Sequence, residues 1–332
     1  MRVVVRADSA KHIGFGHITR SLTLAQGMTK LGADVLSTGQ GMARGRTVAT
    51  SFADLDVSEA PISSGASAAE NVLRLKPDGV VVDGYHFEPQ FFDTLSSAGV
   101  PYGVIDDNGE TRAIAPKVIH NQNPSARREL YRDVEGKPRF LLGLDFCLLR
   151  PEITELAGQR GKKEGYIFVS FGGTDSMNLT KPVVESLIQS GHNIATSEKF
   201  REILRDHEAG LNGSGSVLYF KPSHFAESLS AARLAILGAG TSLWEASALG
   251  VMAIGVIVAE NQLAPAHKSL EMGVTARLVQ AMGSRKQEET VSLIATAVDE
   301  LGADPLAGPG FVVPHDGATR AAGVFLEEFS RH

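Results

Sequence analysis

The chain alternates short apolar segments with helical segments, and this alternation occurs twice. The first series opens with an apolar segment at residues 3–5, followed by a glycine turn and by helical spacing of apolar residues from 17 to 30. The second series opens at residues 166–171 and continues through another glycine turn into a helical segment at 180–189. Repeating βα units are typical of parallel, doubly wound sheets. We therefore predict an α/β protein in which two Rossmann-like domains face each other across a cleft.

The break between the two series predicts the domain boundaries. We assign residues 1–150 to an N-terminal domain, 151–164 to a polar linker rich in Gly and Lys, and 165–315 to a C-terminal domain. A last helix within residues 316–332 is expected to pack back on the N-terminal domain. Further strands are predicted at residues 33–36, 79–83, 102–107, 117–120, 216–220, 234–237 and 251–258, and further helices at 225–232, 262–272, 287–301 and 318–329.

Charge and hydropathy exclude several classes of partner. The formal net charge is -6, whereas a general nucleic-acid binder needs a basic face that displaces counterions. The longest apolar run, residues 251–259, is too short to span a bilayer. The N-terminus leads directly into a predicted strand and does not resemble a signal peptide. We expect a cytoplasmic protein with no nucleic-acid or membrane partner, and a monomer is the working expectation for its oligomeric state.

Cysteine and glycine usage limits the cofactors. The single cysteine, Cys147, forms no intrachain disulfide, and no Cys/His cluster has the spacing of a zinc site. The first glycine turn lacks the full G-x-G-x-x-G pattern of a dinucleotide site, which argues against NAD. We therefore expect no metal and no cofactor.

The first motif is the turn that contains Gly14 and Gly16 and ends at His17. Two glycines between a strand and a helix allow a ligand to approach the backbone closely. His17 stands at the beginning of the helix, where it could accept a proton from a bound water. The alternative is a histidine that only caps or packs the helix.

Three motifs of the second half could bind a ligand through backbone amides and polar side chains. A turn after the first strand contains Gly172, Gly173 and Thr174, although it could be a plain βα turn. A helix beginning near Gly240, Thr241 and Ser242 could bind a diphosphate on its free N–H groups. Glu245, one turn further, could bind ribose hydroxyls or merely stabilise the helix start. Asn261 and Gln262 follow a buried strand and could hydrogen-bond sugar substituents.

These stretches together resemble one family, the UDP-2,4-diacetamido-2,4,6-trideoxy-β-L-altropyranose hydrolases of pseudaminic-acid biosynthesis, whose relatives include the spore-coat SpsG-like proteins. The resemblance covers residues 1–275 and consists of an ordered set of motifs. These read RADSxxxIGxGHxxRxLTLA from residue 6, DGY at 83, DD at 106, NQN at 121, LLRPE at 148, SFGGTDxxNLT at 170, GAGTSLWEAxALG at 238 and AENQ at 259.

The resemblance implies a GT-B fold with an N-terminal catalytic and sugar domain and a C-terminal nucleotide domain. It implies metal-independent attack of water on the anomeric carbon of a UDP-sugar, with inversion, and it implies His17 as the catalytic base. By the same matching, the expected ligand contacts are Gly14, Gly16, Tyr85, Asn121, Gly172, Gly173, Ser242, Glu245, Asn261 and Gln262. The chain departs from the family pattern within residues 143–153 and at His86, and these changes could alter the sugar preference.

Three other functions fit the same sequence. An inverting glycosyltransferase would bind the same donor but admit an acceptor instead of water. A non-hydrolysing 2-epimerase would need further acid/base groups near the sugar. A nucleotide-sugar-binding protein without turnover would lose nothing measurable when His17 is replaced.

Overall fold

The structure is a computed structural model that describes residues 1–8, 16–47, 50–111, 113, 115–159, 163–207, 215–283, 285–302 and 308–331. The chain divides into two compact units. Unit 1 comprises Met1–Pro151 and the segment from Pro314 onwards, and unit 2 comprises Glu152–Val313. The segment expected to be a linker begins with a short helix, α5 (Pro151–Leu156), in which Ile153 is fully buried.

Unit 1 contains a seven-stranded parallel sheet in the order β3-β2-β1-β4-β5-β6-β7. Its strands are β1 (Arg2–Ala7), β2 (Asp34–Gly39), β3 (Asp56–Glu59), β4 (Gly79–Asp83), β5 (Tyr102–Ile105), β6 (Val118–Asn121) and β7 (Arg139–Leu142). Its α-helices are α1 (Gly16–Lys30), α2 (Met42–Arg46), α3 (Ala66–Leu73), α4 (Pro89–Ser97) and α11 (Gly317–Ser330).

Both faces of this sheet are covered, as its uninterrupted apolar strands require. Along β1, Val3 and Val5 pack with α1 and α11 on one face, whereas Val4 packs with α3 and α4 on the other. The C-terminal helix α11 therefore contributes to the core of unit 1. Its Phe325 and Phe329 are buried, and they fill the space above glycines of β5 and β4.

Unit 2 repeats the architecture with a six-stranded parallel sheet in the order β10-β9-β8-β11-β12-β13. Its strands are β8 (Ile167–Ser170), β9 (Ile194–Ser197), β10 (Val217–Phe220), β11 (Leu234–Gly238), β12 (Ala253–Ile257) and β13 (Arg277–Gln280). After α5, its α-helices are α6 (Thr180–Gln189), α7 (Phe225–Ala231), α8 (Thr241–Ala248), α9 (Leu263–Glu271) and α10 (Gln287–Leu301). In the described part of the chain, no helix combines the length and the hydropathy that a bilayer span requires.

Candidate functional site

The site in unit 1 lies where the strand order reverses. β1 is paired with β2 on one side and with β4 on the other, so that consecutive connections leave the sheet in opposite directions. Ligands of open α/β sheets bind at such a switch point, outside the carboxyl ends of the strands. The register pairs Ala7 with Asp83 at the ends of these two strands. Asp83 therefore stands at the position where this fold builds its sites.

His17 forms a buried pair with Asp83. Nδ1 of His17 lies 2.6 Å from Oδ1 of Asp83, and the two residues are 8% and 0% exposed. Because a carboxylate only accepts hydrogen bonds, Nδ1 carries the proton and donates it to Asp83. This tautomer leaves Nε2 as the ring nitrogen that can take a proton from a substrate or a water.

Arg20 and Ser21 fix Asp83 from the same helix. Arg20 donates Nε to Oδ2 at 2.7 Å and Nη2 to Oδ1 at 2.6 Å, and the Ser21 hydroxyl donates to Oδ2 at 3.0 Å. His17, Arg20 and Ser21 are spaced three and four residues apart, which places them on one face of α1. One turn of helix therefore supplies every side-chain contact that the described residues make with this carboxylate.

The cluster contains a second carboxylate. Nη1 of Arg20 donates to Oδ2 of Asp107, which follows β5, at 2.5 Å. Burial alone would raise the pKa of Asp83, but the charge of Arg20 and the hydrogen bonds from Arg20 and His17 hold that pKa well below its ordinary value. Burial would likewise lower the pKa of Arg20, and the charges of Asp107 and Asp83 raise it instead. The pair therefore stays ionised, with the cation shared between two carboxylates.

Tyr85 and Gly16 join His17 at the surface of the cluster. The Tyr85 ring is nearly perpendicular to the His17 ring, at 82°, with 5.0 Å between their centroids, and Tyr85 is 39% exposed. A Cβ at Gly16 would meet no atom within 4 Å, so the space in front of the backbone is open. The structure thus brings together three of the residues predicted for this half. Gly14 lies outside the described residues.

Asn121 is also near this edge of the sheet, but its side chain is occupied. Nδ2 donates to the Tyr131 hydroxyl at 2.8 Å, and Oδ1 accepts the Asn123 amide at 3.0 Å. The residue is 1% exposed. A ligand would have to displace these bonds to reach the amide, so a contact with Asn121 stays a prediction.

In unit 2, the predicted glycine turn lies at the carboxyl end of β8, in the middle of the second sheet. Gly172, Gly173 and Thr174 are exposed, and neither glycine would bring a Cβ into contact with another atom. Asp175 accepts the amides of Leu179 and Thr180 at 3.0 and 3.1 Å. The carboxylate of Asp175 thus occupies the amides at the start of α6. An anion bound in this loop would have to use the backbone amides of the turn at residues 172–174.

The beginning of α8 provides open backbone as well. No side chain of the described residues caps this helix at Gly240, and a Cβ there would have open space around it. Thr241 and Ser242 in the first turn are half-buried, whereas Glu245 is only 4% exposed. The amides of this turn can receive a diphosphate. Binding of ribose by the buried Glu245 stays a prediction.

The last predicted pair divides into one exposed and one structural residue. Asn261 is exposed after β12. Oε1 of Gln262 accepts the backbone amide of Val258 at 2.9 Å, and Gln262 stands at the N-cap of α9. Gln262 thus holds the loop in which Asn261 lies, and ligand contacts by either residue stay predictions.

Four residues of these sites had no role predicted from the sequence, namely Asp83, Arg20, Asp107 and Lys199. Lys199 donates from Nζ to the carbonyl of Gly173 at 2.8 Å, which brings a cation to the glycine turn of unit 2. The sequence did contain a signal for Asp83 and Asp107, because each stands at the end of a predicted apolar strand. The carboxyl ends of parallel strands lie at the same edge of a sheet, so the two carboxylates could have been predicted to lie near each other. Among the described residues, no cluster of three or more His, Cys, Asp and Glu side chains could hold a metal ion.

No protein-family model matches the chain. An uncharacterised protein of Methanocaldococcus jannaschii is 22% identical over 286 residues, which cover 79% of this chain and 56% of that protein. A Campylobacter jejuni protein named UDP-2,4-diacetamido-2,4,6-trideoxy-β-L-altropyranose hydrolase is 27% identical over 201 residues, 56% of this chain and 66% of that protein. The chain therefore spans only part of the length of the curated relatives that it matches.

Solved structures match the chain over almost its full length. MurG of Acinetobacter baumannii has a TM-score of 0.60 at 16% identity, covering 99% of this chain and 98% of that one. A putative UDP-N-acetylglucosamine 2-epimerase of Listeria monocytogenes has a TM-score of 0.62 at 12% identity, and the match covers 100% of this chain and 97% of that one. The glycosyltransferase of kitacinnamycin has a TM-score of 0.63 at 16% identity, and the match covers 98% of both chains. The chain has the GT-B fold of these proteins, which confirms the predicted fold class.

Proposed function

We propose that the chain hydrolyses a UDP-linked sugar at its anomeric carbon, with inversion. The observation that carries this proposal is the buried pair of His17 and Asp83 at the switch point of the first sheet. A histidine oriented by a carboxylate through Nδ1 has the arrangement of a general base, with Nε2 directed to the reacting proton.

The reaction requires one base and no covalent intermediate. Nε2 of His17 takes a proton from water as the water oxygen bonds to the anomeric carbon. The bond between that carbon and the diphosphate oxygen breaks, the electron pair leaves with UDP, and the proton passes later to solvent. Since water attacks on the face opposite to UDP, the configuration inverts.

The electrostatics of the cluster favour this step. Proton transfer creates an imidazolium next to an ionised Asp83, which Arg20 and Ser21 hold in place. A positioned charge of this kind stabilises the transition state without reorganising during the reaction. Tyr85, beside His17 and exposed, is available to contact the sugar.

We assign the nucleotide diphosphate to unit 2. The amides at the start of α8, around Gly240 to Ser242, and the turn at 172–174 would stabilise the leaving diphosphate. Because UDP leaves as an anion bound by these donors, no second carboxylate is needed as a general acid. Attack at carbon also places no demand on a metal, so EDTA should leave the rate unchanged.

The Campylobacter jejuni relative supports this reaction and suggests the substrate class. Its name specifies hydrolysis of a UDP-linked diacetamido-trideoxy sugar, and its similarity includes 201 residues of this chain. We therefore propose UDP-2,4-diacetamido-2,4,6-trideoxy hexoses as the first substrates to test.

An inverting glycosyltransferase is the second candidate. The match to the glycosyltransferase of kitacinnamycin favours it, because that structure covers 98% of this chain. A transferase would use the same base to deprotonate an acceptor hydroxyl. The two candidates differ in whether UDP is released when water is the only acceptor.

Release of UDP from UDP-sugars in buffer without acceptor tests the proposal. We expect turnover by the unaltered protein and a loss of at least about 1,000-fold for His17→Gln, with UDP affinity unchanged. Turnover only after an acceptor is added would establish the transferase. An epimerised UDP-sugar without release of free sugar would establish a 2-epimerase.

A further inference from the structure

The proposed reaction does not use His86. Its side chain is hydrogen-bonded to Asp8, at the end of β1. Nε2 of His86 lies 2.9 Å from Oδ2 of Asp8, the residue that follows β1. Because the carboxylate only accepts, Nε2 carries the proton and donates it. The bond links the loop after β4 to the end of β1.

Asp8 is a fixed acceptor. It is 1% exposed, it pairs with Nη2 of Arg6 at 2.9 Å, and it accepts the backbone amide of Gln40 at 2.7 Å. Arg6 is itself buried and donates to the carbonyl of Pro61 at 3.0 Å. A carboxylate held from several sides cannot follow a moving partner, so it anchors whatever is bonded to it.

The His86 ring is packed as well as hydrogen-bonded. It lies against the ring of Phe87, with 4.2 Å between the centroids, and Phe87 is buried. Gly84 leaves room for it, since a Cβ at Gly84 would lie 2.9 Å from Cε1 of His86. The loop therefore has one defined place for this imidazole.

Tyr85 stands between two anchors. Asp83, two residues before it, is bound by His17 and Arg20, and His86, directly after it, is bound by Asp8. Tyr85 itself is 39% exposed, and no hydrogen bond of its hydroxyl is seen among the described residues. Its position against His17 therefore depends on the backbone of the loop, which these two anchors fix.

We propose that His86 is a positioning residue, whose hydrogen bond to Asp8 holds Tyr85 beside His17. The effect on catalysis rests on the proposed hydrolysis, in which Tyr85 contacts the sugar, whereas the effect on geometry does not. A residue at position 86 that cannot donate a hydrogen bond to Asp8 would let the loop and Tyr85 move away from His17.

The geometry can be tested in the free protein by NMR. The ring protons of His17, assigned by their absence in His17→Gln, should carry a ring-current shift from Tyr85, whose ring centroid lies 5.0 Å away, and Tyr85→Leu should remove that shift. His86→Phe keeps the packing on Phe87 but removes the donor, and Asp8 keeps its bonds to Arg6 and Gln40. His86→Gln is the matched control, because its amide can still donate to Asp8.

We expect His86→Phe to lose at least half of the shift that Tyr85→Leu abolishes, and His86→Gln to retain most of it. An unchanged shift in folded His86→Phe would overturn the proposal, as would the absence of any Tyr85 contribution in the unaltered protein. This readout needs no turnover, so it stands even if the protein proves not to hydrolyse UDP-sugars.

Kinetics then test the consequence. His86→Phe should lower kcat by about tenfold with the inhibition constant of UDP unchanged, and the loss should vanish in a Tyr85→Leu background. Equal losses in both backgrounds would show that His86 does not act through Tyr85. No hydrolysis by the unaltered protein would refute the proposed function and leave the NMR result to decide the role of His86.

Discussion

Nδ1 of His17 and Oδ1 of Asp83 lie 2.6 Å apart, although 66 positions separate the two residues in the chain. The parallel pairing of β1 with β4 contributes to this contact, because it places Asp83 at the end of β4 beside Ala7 at the end of β1, the strand that precedes α1 in the chain. The pair defines the tautomer of the histidine, and with it the nitrogen that can act as a base.

Asp83→Asn should abolish most of the activity while UDP still binds. The NH2 group of an asparagine can donate to Nδ1 of His17 and favour the wrong tautomer, and the neutral amide cannot stabilise an imidazolium. We therefore expect kcat to fall by about 1,000-fold or more. Asp107→Asn is the control, because it leaves the His17–Asp83 bond in place, and it should cost less than about tenfold. Activity of Asp83→Asn within tenfold of the unaltered protein would exclude the dyad.

Gly240→Ala tests the proposed diphosphate site in unit 2. The backbone of Gly240 is extended, with φ at −121°, and its Cβ position is open, so alanine should leave the melting temperature unchanged. If a diphosphate approaches this backbone closely, the added methyl group should weaken UDP binding by at least about tenfold. Calorimetric titration with UDP measures the effect, and unchanged affinity would remove this turn from the site.

The sequence was sufficient to predict the apolar centre of each sheet. β4 and β12 are buried along their whole length, and α6 and α10 begin and end at the predicted residues. Four strands were missed, namely β3, β7, β9 and β13. The physical reason is clearest for β3, an edge strand with the sequence DVSE that is nowhere fully buried. Edge strands carry charge and lack the apolar run that identifies a central strand. β7 and β13 are also edge strands, whereas β9 is internal but only four residues long.

Individual residues of the proposed site could be predicted from the sequence, but the pairing between them could not. His17 was a candidate base from its place at a glycine turn, and the family resemblance implied that role, whereas its partner Asp83 and the bridging Arg20 were not assigned roles. Local spacing shows which residues share a turn of α1, but contacts between strands depend on the strand order. Asn121 and Gln262 illustrate the converse, because an amide that could bind a ligand also serves to fix a loop.

His120 should make the stability of unit 1 depend on pH. It is fully buried and donates Nε2 to the Phe146 carbonyl, and burial lowers its pKa to about 4 from 6.5. Between pH 6.5 and about 4, His120 is protonated in the unfolded chain but not in the folded chain. The free energy of unfolding therefore falls as the pH falls through this range. The loss is about 3 kcal/mol over the full window.

Urea unfolding between pH 7.5 and 4.5 measures this dependence. His120→Gln can retain the donor to Phe146 but cannot titrate, so its free energy of unfolding should fall less steeply below pH 6.5. Parallel curves for the two proteins would mean that His120 is not the group responsible.

Phe325→Ala should destabilise unit 1 through the C-terminal helix. Phe325 is fully buried, and a Cβ at Gly103 would lie only 2.5 Å from its ring, so the ring fills the space above β5. Truncating it should cost about 3–5 kcal/mol in urea unfolding. Glu327→Ala, on the exposed side of α11, should change stability by less than about 0.5 kcal/mol. Equal effects of the two substitutions would contradict the packing of α11.

Hydrolysis in ¹⁸O-labelled water, followed by mass spectrometry of both products, tests the central claim most directly. Attack of a water activated by His17 on the anomeric carbon predicts one ¹⁸O atom in the free sugar, none in UDP, and no labelled sugar with His17→Gln. Label in a nucleotide phosphate, or labelled sugar formed equally well by His17→Gln, would contradict it.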